Sequence, residues 1–556
     1  MTLTTRALGR MMKLPEPLTR RVKADRAVAI PMPDGVTLLA DRWYPADTPS
    51  GLPLLVARTP YGRGAEGVIA RLIAERGYQV LLVSCRGTFG SGGAWNPFRN
   101  EQADGKAVLA WAERQPWFGA AMGLYGPSYV GLTQWSVAGD APETVKAICP
   151  MVTSTYFADI FYPGGSLALL NMLTWIYGLA HQEKGLPDRV RAMVSGRAAV
   201  AKVVNNLPAA DLDIAVTGGR MHAYQDWLEH RGVEDPWWSV VDFRRAVTKA
   251  PPASLTAGWY DLFAPYQIAD FVALRKAGRD ARIAIGPWDH TSLPAFGHHV
   301  RDTLDWMDRH VAGHGTANAP ERVRLYVMGA QQWVGYDEWP PAATEQTWYL
   351  QPGGGLSTDE PAACEPSRYR YDPADPTPSV GGASLQNGTA GRKDNTKHEQ
   401  RADVLTFTSE PMRDDVTVIG PLRADLVVRS SLDHTDFFVR LCEVDPKGRS
   451  WNLADGILRV GVHDRAPKVR RLKDGTMKLR IEMWPTANTF RRGYRIRLQV
   501  SSGAHPLYIR NLGSGEPIGK GTTLVAAEQE VFHDPKRASS VTLPVLGHPI
   551  RRDGDL

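Results

Sequence analysis

Short apolar runs separated by stretches of helical spacing set the rhythm of the first part of the chain. Residues 27–43 alternate about Asp34-Gly35, with Val36-Thr37-Leu38-Leu39 on the return, which predicts a β-hairpin. Residues 53–58 form an apolar strand, 66–75 have helical spacing, 79–83 form a second strand and 102–113 a second helix. Strands over 122–125 and 145–149 follow, with residues 132–138 helical between them. Short apolar strands alternating with amphipathic helices predict a mostly parallel sheet covered on both faces.

The rhythm stops at 151. Residues 151–247 lack clear strands and read as helices, including the very apolar 167–177. Strand signals resume at 253–259 and 282–286. A helical block inserted in an α/β domain is expected to cap the strand ends, where such sheets bind ligands. Residues 352–400 are rich in Gly, Pro, Asp and Asn, the composition of a long irregular connection. Short strands then recur at 416–418, 422–428, 437–442, 479–482 and 494–500, the spacing of an antiparallel sandwich or jelly roll. The expected division is a discontinuous α/β domain (1–150 and 248–345), a helical cap (151–247) and a C-terminal all-β domain (346–556).

Composition narrows the function classes. At 556 residues the chain exceeds a single core, and about three domains are expected. The 65 basic and 59 acidic residues are mixed along its length, so the net charge of +6 makes no basic stripe for nucleic acid. Arg6, Arg10, Lys13, Arg20, Arg21, Lys23 and Arg26 read as a solvated arm. Cys85, Cys149, Cys364 and Cys442 contain no C-x-x-C pair, which argues against a disulfide framework or structural zinc and for buried free thiols. No secretory signal is evident, and no stretch approaches the ~20 apolar residues of a membrane span. A cytoplasmic protein without a membrane partner is expected, with homo-oligomerisation left open. No motif calls for a metal or an organic cofactor.

The candidate chemistry starts at Ser128. In Gly126-Pro127-Ser128-Tyr129-Val130-Gly131 a serine stands between glycines where a strand meets a helix, the pattern of a nucleophile elbow. The tight turn would hold the hydroxyl out of the sheet, and the helix start would offer N–H groups to an oxyanion. A serine needs a base to take its proton and a carboxylate to fix that base. In α/β-hydrolase order both follow the serine, on loops after later strands. Asp261 follows the strand ending at Trp259-Tyr260, and His290 follows the strand ending at Gly286-Pro287-Trp288. Asp289 competes as the acid, but it adjoins His290 in sequence, which makes facing the ring awkward. His298 and His299 are rival bases on the expected next helix.

Arg58-Thr59-Pro60-Tyr61-Gly62-Arg63, Cys85-Arg86-Gly87-Thr88-Phe89-Gly90-Ser91, the Ser128 elbow, Gly258-Trp259-Tyr260-Asp261 and Gly286-Pro287-Trp288-Asp289-His290 resemble the cocaine esterase / X-Pro dipeptidyl-peptidase family of serine hydrolases. Tyr371-Asp372-Pro373-Ala374-Asp375-Pro376, Asp445-Pro446-Lys447-Gly448-Arg449-Ser450 and Asp455-Gly456-Ile457-Leu458-Arg459 resemble its jelly-roll domain, so the likeness spans nearly the whole chain. The resemblance implies Ser128 as nucleophile, His290 as base and Asp261 as its orienting acid. It implies an oxyanion hole from the Tyr61 hydroxyl and the Tyr129 N–H, and an acyl pocket that includes Trp175 and Phe263.

Two positions depart from the family pattern: Ser84 stands where an Asp is usual, and the Leu385-Gln386 region lacks a neighbouring aromatic. Gly131 comes one residue later than in G-x-S-x-G, a spacing the family shares. The expectation is an acyl esterase working through a covalent acyl-enzyme. An acylase for β-lactam side chains and an X-Pro dipeptidyl-peptidase, with Glu183 as the candidate amine anchor, stay open. So does a carbohydrate-binding protein with a vestigial hydrolase domain.

Overall fold

The hairpin about Asp34-Gly35 pairs β1 (Val22–Pro31) antiparallel to β2 (Thr37–Pro45). The computed structural model describes residues 2–232, 234–314, 321–386, 388–461 and 469–550. β3 (Leu54–Thr59), β4 (Gln79–Ser84), β5 (Met122–Pro127), β6 (Val145–Met151), β7 (Ala253–Tyr260) and β8 (Ala281–Asp289) extend that hairpin into a mixed sheet. These eight strands lie in the order β1-β2-β4-β3-β5-β6-β7-β8. The pairs β3/β4, β3/β5, β5/β6 and β6/β7 are parallel, whereas β1/β2 and β2/β4 are antiparallel. Every residue of β3, β4 and β7 is buried, as a sheet covered on both faces requires. Helix Ala264–Lys276 carries the chain from β7 to its neighbour β8, a crossover of the kind that joins parallel strands.

Helices α1 (Thr2–Met11), α2 (Arg63–Ala74), α3 (Glu101–Glu113) and α4 (Tyr129–Ala138) accompany these strands. All ten residues of α4 are buried, which explains why its sequence carries no polar stripe: no face of it meets water. Leu72, Ile73, Val80, Leu82, Tyr125 and Met307 belong to one buried apolar cluster. The described residues of Met1–Phe157, Pro236–Gly258 and Phe263–Val323 make the first compact unit.

The second unit joins Ala158–Asp235, Trp259–Leu262 and the described residues of Arg324–Leu556. Its helical part includes Leu169–His181, Leu186–Val203, Leu212–Thr217 and His222–Glu229. Its β part is a jelly roll of antiparallel ladders. Val416–Ser430 pairs with Met477–Phe490, Thr435–Val444 with Ser450–Val460 and Arg495–Ser501, and Thr344–Gln351 with the distant Ser540–Val545. Within this unit the helical part is stitched to the jelly roll. The Leu170 N–H donates to Pro506 O (2.9 Å), the Ile509 N–H to Leu167 O (2.8 Å), and the Leu385 N–H to Asn171 Oδ1 (2.9 Å).

Two expectations are corrected here. Residues 416–418 and 422–428 are one strand, Val416–Ser430, with a register shift between Gly420 and Leu422. Gly420-Pro421 looks like a breaker, yet a bulge keeps the strand going and leaves the proline where no N–H is needed. The stretch 352–400 also holds the short strands Gly355–Ser357 and Ser367–Tyr371. All four cysteines are free. Cys85, Cys149 and Cys442 are buried, whereas Cys364 is only partly so, with Sγ 3.0 Å from His533 Nδ1. Among the described residues no helix is long and apolar enough to cross a membrane.

Candidate active site

Ser128 sits between β5 and α4 with φ 55° and ψ −123°. That conformation costs a non-glycine residue about 1–3 kcal/mol and persists only where the surroundings impose it. They do so through the backbone. The Ser128 N–H donates to Met151 O at the end of β6 (2.8 Å), while Ser128 O accepts from the N–H groups of Gly131 (2.9 Å) and Leu132 (3.0 Å), the first turn of α4.

Both flanking glycines are explained by approach. Gly126 has φ +130°, and a Cβ there would lie 2.3 Å from Val130 Cγ1. A Cβ on Gly131 would lie 2.4 Å from Thr153 Cγ2. The second glycine therefore stands one residue later than in G-x-S-x-G because this is where α4 presses on the chain leaving β6.

Beneath the elbow lies a buried polar network. The Tyr129 hydroxyl donates to Glu101 Oε1 (2.9 Å) and accepts from the Phe98 N–H (2.8 Å). Arg58 Nη1 donates to Glu101 Oε2 (2.9 Å), and Arg58 Nη2 donates to Thr133 O (2.7 Å) and Ser136 Oγ (2.8 Å) on α4. Burial pushes the Glu101 carboxyl up, against the pull of the Arg58 guanidinium and the Tyr129 hydroxyl. Burial likewise raises the Tyr129 phenol well above its ordinary value, so it is a neutral donor. Tyr61 follows Arg58 by three residues. It is half-buried, its N–H donates to Thr59 Oγ1 (3.1 Å), and its ring meets that of Tyr129 edge-on at 6.4 Å.

His290 follows β8 and is half-buried. Its ring lies 5.7 Å from that of the buried Phe263. Phe263 packs on Phe157 (4.9 Å), Phe157 on Phe98 (5.0 Å), and Phe98 stacks on Tyr129 (5.2 Å). An unbroken line of rings thus runs from His290 to the residue after Ser128. Ser128, Tyr61, Tyr129, Phe263 and His290 all belong to the first unit, and Asp261 and Trp175 to the second. Asp261 directly follows β7 and is fully buried. Trp175, on Leu169–His181, stacks on Trp227 (5.4 Å, 15° between planes), which stacks on Phe161 (4.7 Å).

The rivals have other surroundings. Asp289 Oδ1 accepts from the N–H (3.0 Å) and hydroxyl (3.2 Å) of Thr291, closing a local turn. His298 and His299 lie on Leu293–Met307. His299 is buried, and that burial pulls its pKa down to about 4, the value of a neutral core side chain. Glu183 is exposed. Ser84 is fully buried and its hydroxyl accepts from Arg63 Nη1; Arg63 finds its carboxylate in Asp41 of β2 instead, Nε to Oδ1 3.1 Å. The sequence reading missed Glu101, Phe98 and Phe157. Glu101 looks like an ordinary first-turn acid of a helix, and the two phenylalanines like core.

Comparison with known proteins finds relatives over nearly the whole chain. Residues 34–292 match the model of the X-Pro dipeptidyl-peptidase (S15 family), and residues 315–542 match that of the X-Pro dipeptidyl-peptidase C-terminal non-catalytic domain. The chain is 32% identical to the cocaine esterase of Rhodococcus sp. (strain MB1 Bresler), over 93% of this chain and 98% of that one. An α-amino acid ester hydrolase superposes with a TM-score of 0.81 at 20% identity, covering 96% of this chain and 98% of its own. An aminopeptidase from a marine sediment Thaumarchaeota archaeon does so with a TM-score of 0.77 at 20% identity, covering 96% and 99%.

Proposed function

The chain belongs to the X-Pro dipeptidyl-peptidase (S15) family of serine hydrolases, and from that premise we propose that it cleaves carboxylic esters through Ser128, His290 and Asp261. The observation that carries this reading is the left-handed backbone of Ser128 at the strand–helix corner, a conformation maintained against its cost.

In this mechanism Ser128 Oγ attacks the ester carbonyl as His290 takes its proton, with Asp261 holding the imidazole in the right tautomer. Negative charge develops on the carbonyl oxygen, where the Tyr129 N–H and the Tyr61 hydroxyl stabilise it. Donors of this kind contribute about 3–4 kcal/mol each to lowering a barrier. The intermediate collapses, the alcohol leaves with the proton from His290, and an acyl-enzyme remains. Water then attacks the acyl carbonyl, His290 takes its proton, and the carboxylic acid departs as Ser128 recovers its hydrogen. No step calls on a cofactor. The likeness to cocaine esterase and the apolar surroundings of Trp175 favour an ester with an apolar acyl or alcohol group.

Amide or dipeptide cleavage is the second reading, favoured by the family description and by the aminopeptidase among the similar folds. Glu183, the one amine anchor suggested by the sequence, lies in an exposed polar turn, which weighs against it. Hydrolysis of p-nitrophenyl esters from acetate to octanoate, by wild type and Ser128→Ala, tests the proposal. The expected result is turnover that falls at least about a thousandfold in the variant. A wild type inert on every ester but active on Ala-Pro-p-nitroanilide would transfer the assignment to the peptidase.

A further inference from the structure

The second unit contains a cavity of about 250 Å³ whose lining includes none of the residues assigned above to ester hydrolysis. Leu169, Val204 and Leu212 of the helical part and Ile509, Leu512 and Ile518 of the β part give it apolar walls. Two arginines, each 9% exposed, also line it. Arg459 is neutralised: Nε and Nη2 donate to the two oxygens of Asp436 (2.9 and 2.8 Å).

Arg510 is different. Nη1 donates to Pro373 O (2.9 Å) and Nη2 to Asn205 O (2.7 Å), both neutral carbonyls. A guanidinium carries five N–H donors. Two are taken, and the remaining three have no acceptor among the described residues. Nor does any carboxylate among them pair with Arg510. Burial pulls its pKa down, with only the Tyr371 phenol opposing. Among the described residues Glu516 is the one carboxylate on the lining; its Oε2 is held by the Ser514 hydroxyl (2.8 Å) and the Thr522 and Thr523 N–H groups (3.3 and 2.9 Å), and it makes no ion pair with Arg510. Of the other ionisable groups on the lining, Arg231 is exposed, His434 is half-buried, and His505, whose pKa burial pulls down to about 4, is neutral.

A cation held away from water without an anion is costly, and the cost is recovered when an anion enters beside it. We propose that this cavity binds a small carboxylic acid, its carboxylate on the open donors of Arg510 and a compact apolar body against Leu169, Leu212 and Ile518. A planar guanidinium fork matches a carboxylate. Since a cavity of about 150 Å³ admits benzene, this one has room for an acid of benzoate size. Inorganic phosphate would answer the charge but leave the apolar walls uncovered.

Calorimetry and saturation-transfer NMR on the full chain, with benzoate, benzyl alcohol and inorganic phosphate as probes, test this. Benzoate is expected to bind at least tenfold more tightly than either other probe. Arg510→Gln, which removes the charge, and Ile518→Trp, which fills the cavity from a half-exposed position, should each weaken benzoate at least tenfold. Both should leave p-nitrophenyl butyrate turnover unchanged. Because Ile518→Trp leaves Arg510 in place, it decides the matter if Arg510→Gln does not fold. The proposal is overturned by wild type that does not bind benzoate, by benzyl alcohol or phosphate binding equally well, or by benzoate affinity that survives in the folded variants. That last outcome would put the acid elsewhere, for instance beside Ser128 as a product.

Discussion

The Tyr129 hydroxyl donates to the buried carboxylate of Glu101 across 2.9 Å. Through that bond the residue whose amide is proposed to face the oxyanion is tied to the start of α3. Arg58 closes the network at the end of β3, three residues before Tyr61. The two proposed oxyanion donors therefore share one buried support, and a support of this kind is what keeps donors pre-aimed at developing charge.

Weakening that support is expected to act on kcat more than on KM, because it misplaces donors that matter most in the transition state. Tyr129→Phe keeps the ring stack with Phe98 but removes the hydroxyl from Glu101 and from the Phe98 N–H. A fall of about tenfold in kcat on p-nitrophenyl butyrate is expected, with KM within about twofold. An unchanged kcat would reduce Glu101 to a purely structural acid. Glu101→Gln leaves Arg58 buried without its anion and should cost about 3–5 kcal/mol in urea unfolding.

At Gly131 the test is steric. An alanine Cβ would stand 2.4 Å from Thr153 Cγ2, so α4 must shift or Thr153 must leave its place. Gly131→Ala is expected to lose about 1–3 kcal/mol of stability and to lower kcat as the elbow moves. Ser136→Ala on the same helix, which removes the hydroxyl's bonds to Arg58, Glu101 O and Thr133 O without adding bulk, serves as the comparison. If Gly131→Ala retains full stability and turnover, the close approach of α4 to Thr153 does not constrain the elbow.

Removing the ring of Phe263 opens the line between His290 and Phe157. Phe263→Ala should destabilise the protein by about 3–5 kcal/mol, the usual result of deleting a buried aromatic. It should also lower kcat, because His290 loses the ring packed beside it. Phe263→Leu, which refills most of the volume, is expected to recover stability more fully than kcat. Equal recovery of both would limit Phe263 to a packing role.

Acid sensitivity follows from three buried histidines. The pKa values of His299, His398 and His505 are each pulled down to about 4, with burial the largest cause. The unfolded chain protonates these groups near their ordinary 6.5, whereas the folded chain resists to about 4. Their contribution is therefore complete above pH 6.5 and is lost as pH falls toward 4, by up to about 3 kcal/mol per residue. Urea midpoints measured from pH 7.5 to 4.5 should fall on acidification. His299→Leu removes one of the three titrating rings and should flatten that fall; among the described residues neither ring nitrogen of His299 has a hydrogen-bond partner to lose.

Much of this molecule was legible as a string. The strands at 53–58, 79–83 and 145–149 and the helix at 102–113 stand within a few residues of β3, β4, β6 and α3, because apolar runs and Gly/Pro punctuation act over short distances. The break at Gly420-Pro421 misled for the same reason. Locally it is a stop signal, and only the partner strand Met477–Phe490 shows the chain bulging and continuing.

The sequence by itself determined the order of the elements and the corner at which Ser128 stands. It also determined that Asp261 and His290 follow strands, since each is a property of neighbouring residues. Only the tertiary structure decided why Gly131 and not its predecessor is the glycine, that Glu101 carries Tyr129, and that rings from Phe263 to Phe98 connect His290 with the elbow. It alone also revealed Arg510, paired with no carboxylate among the described residues, on the wall of a partly apolar cavity. These relationships join residues far apart in the chain: 28 positions separate Glu101 from Tyr129, and 305 separate Asn205 from Arg510. Burial and partnership at such range depend on which surfaces the fold presses together, and no local pattern of apolar and polar residues encodes that.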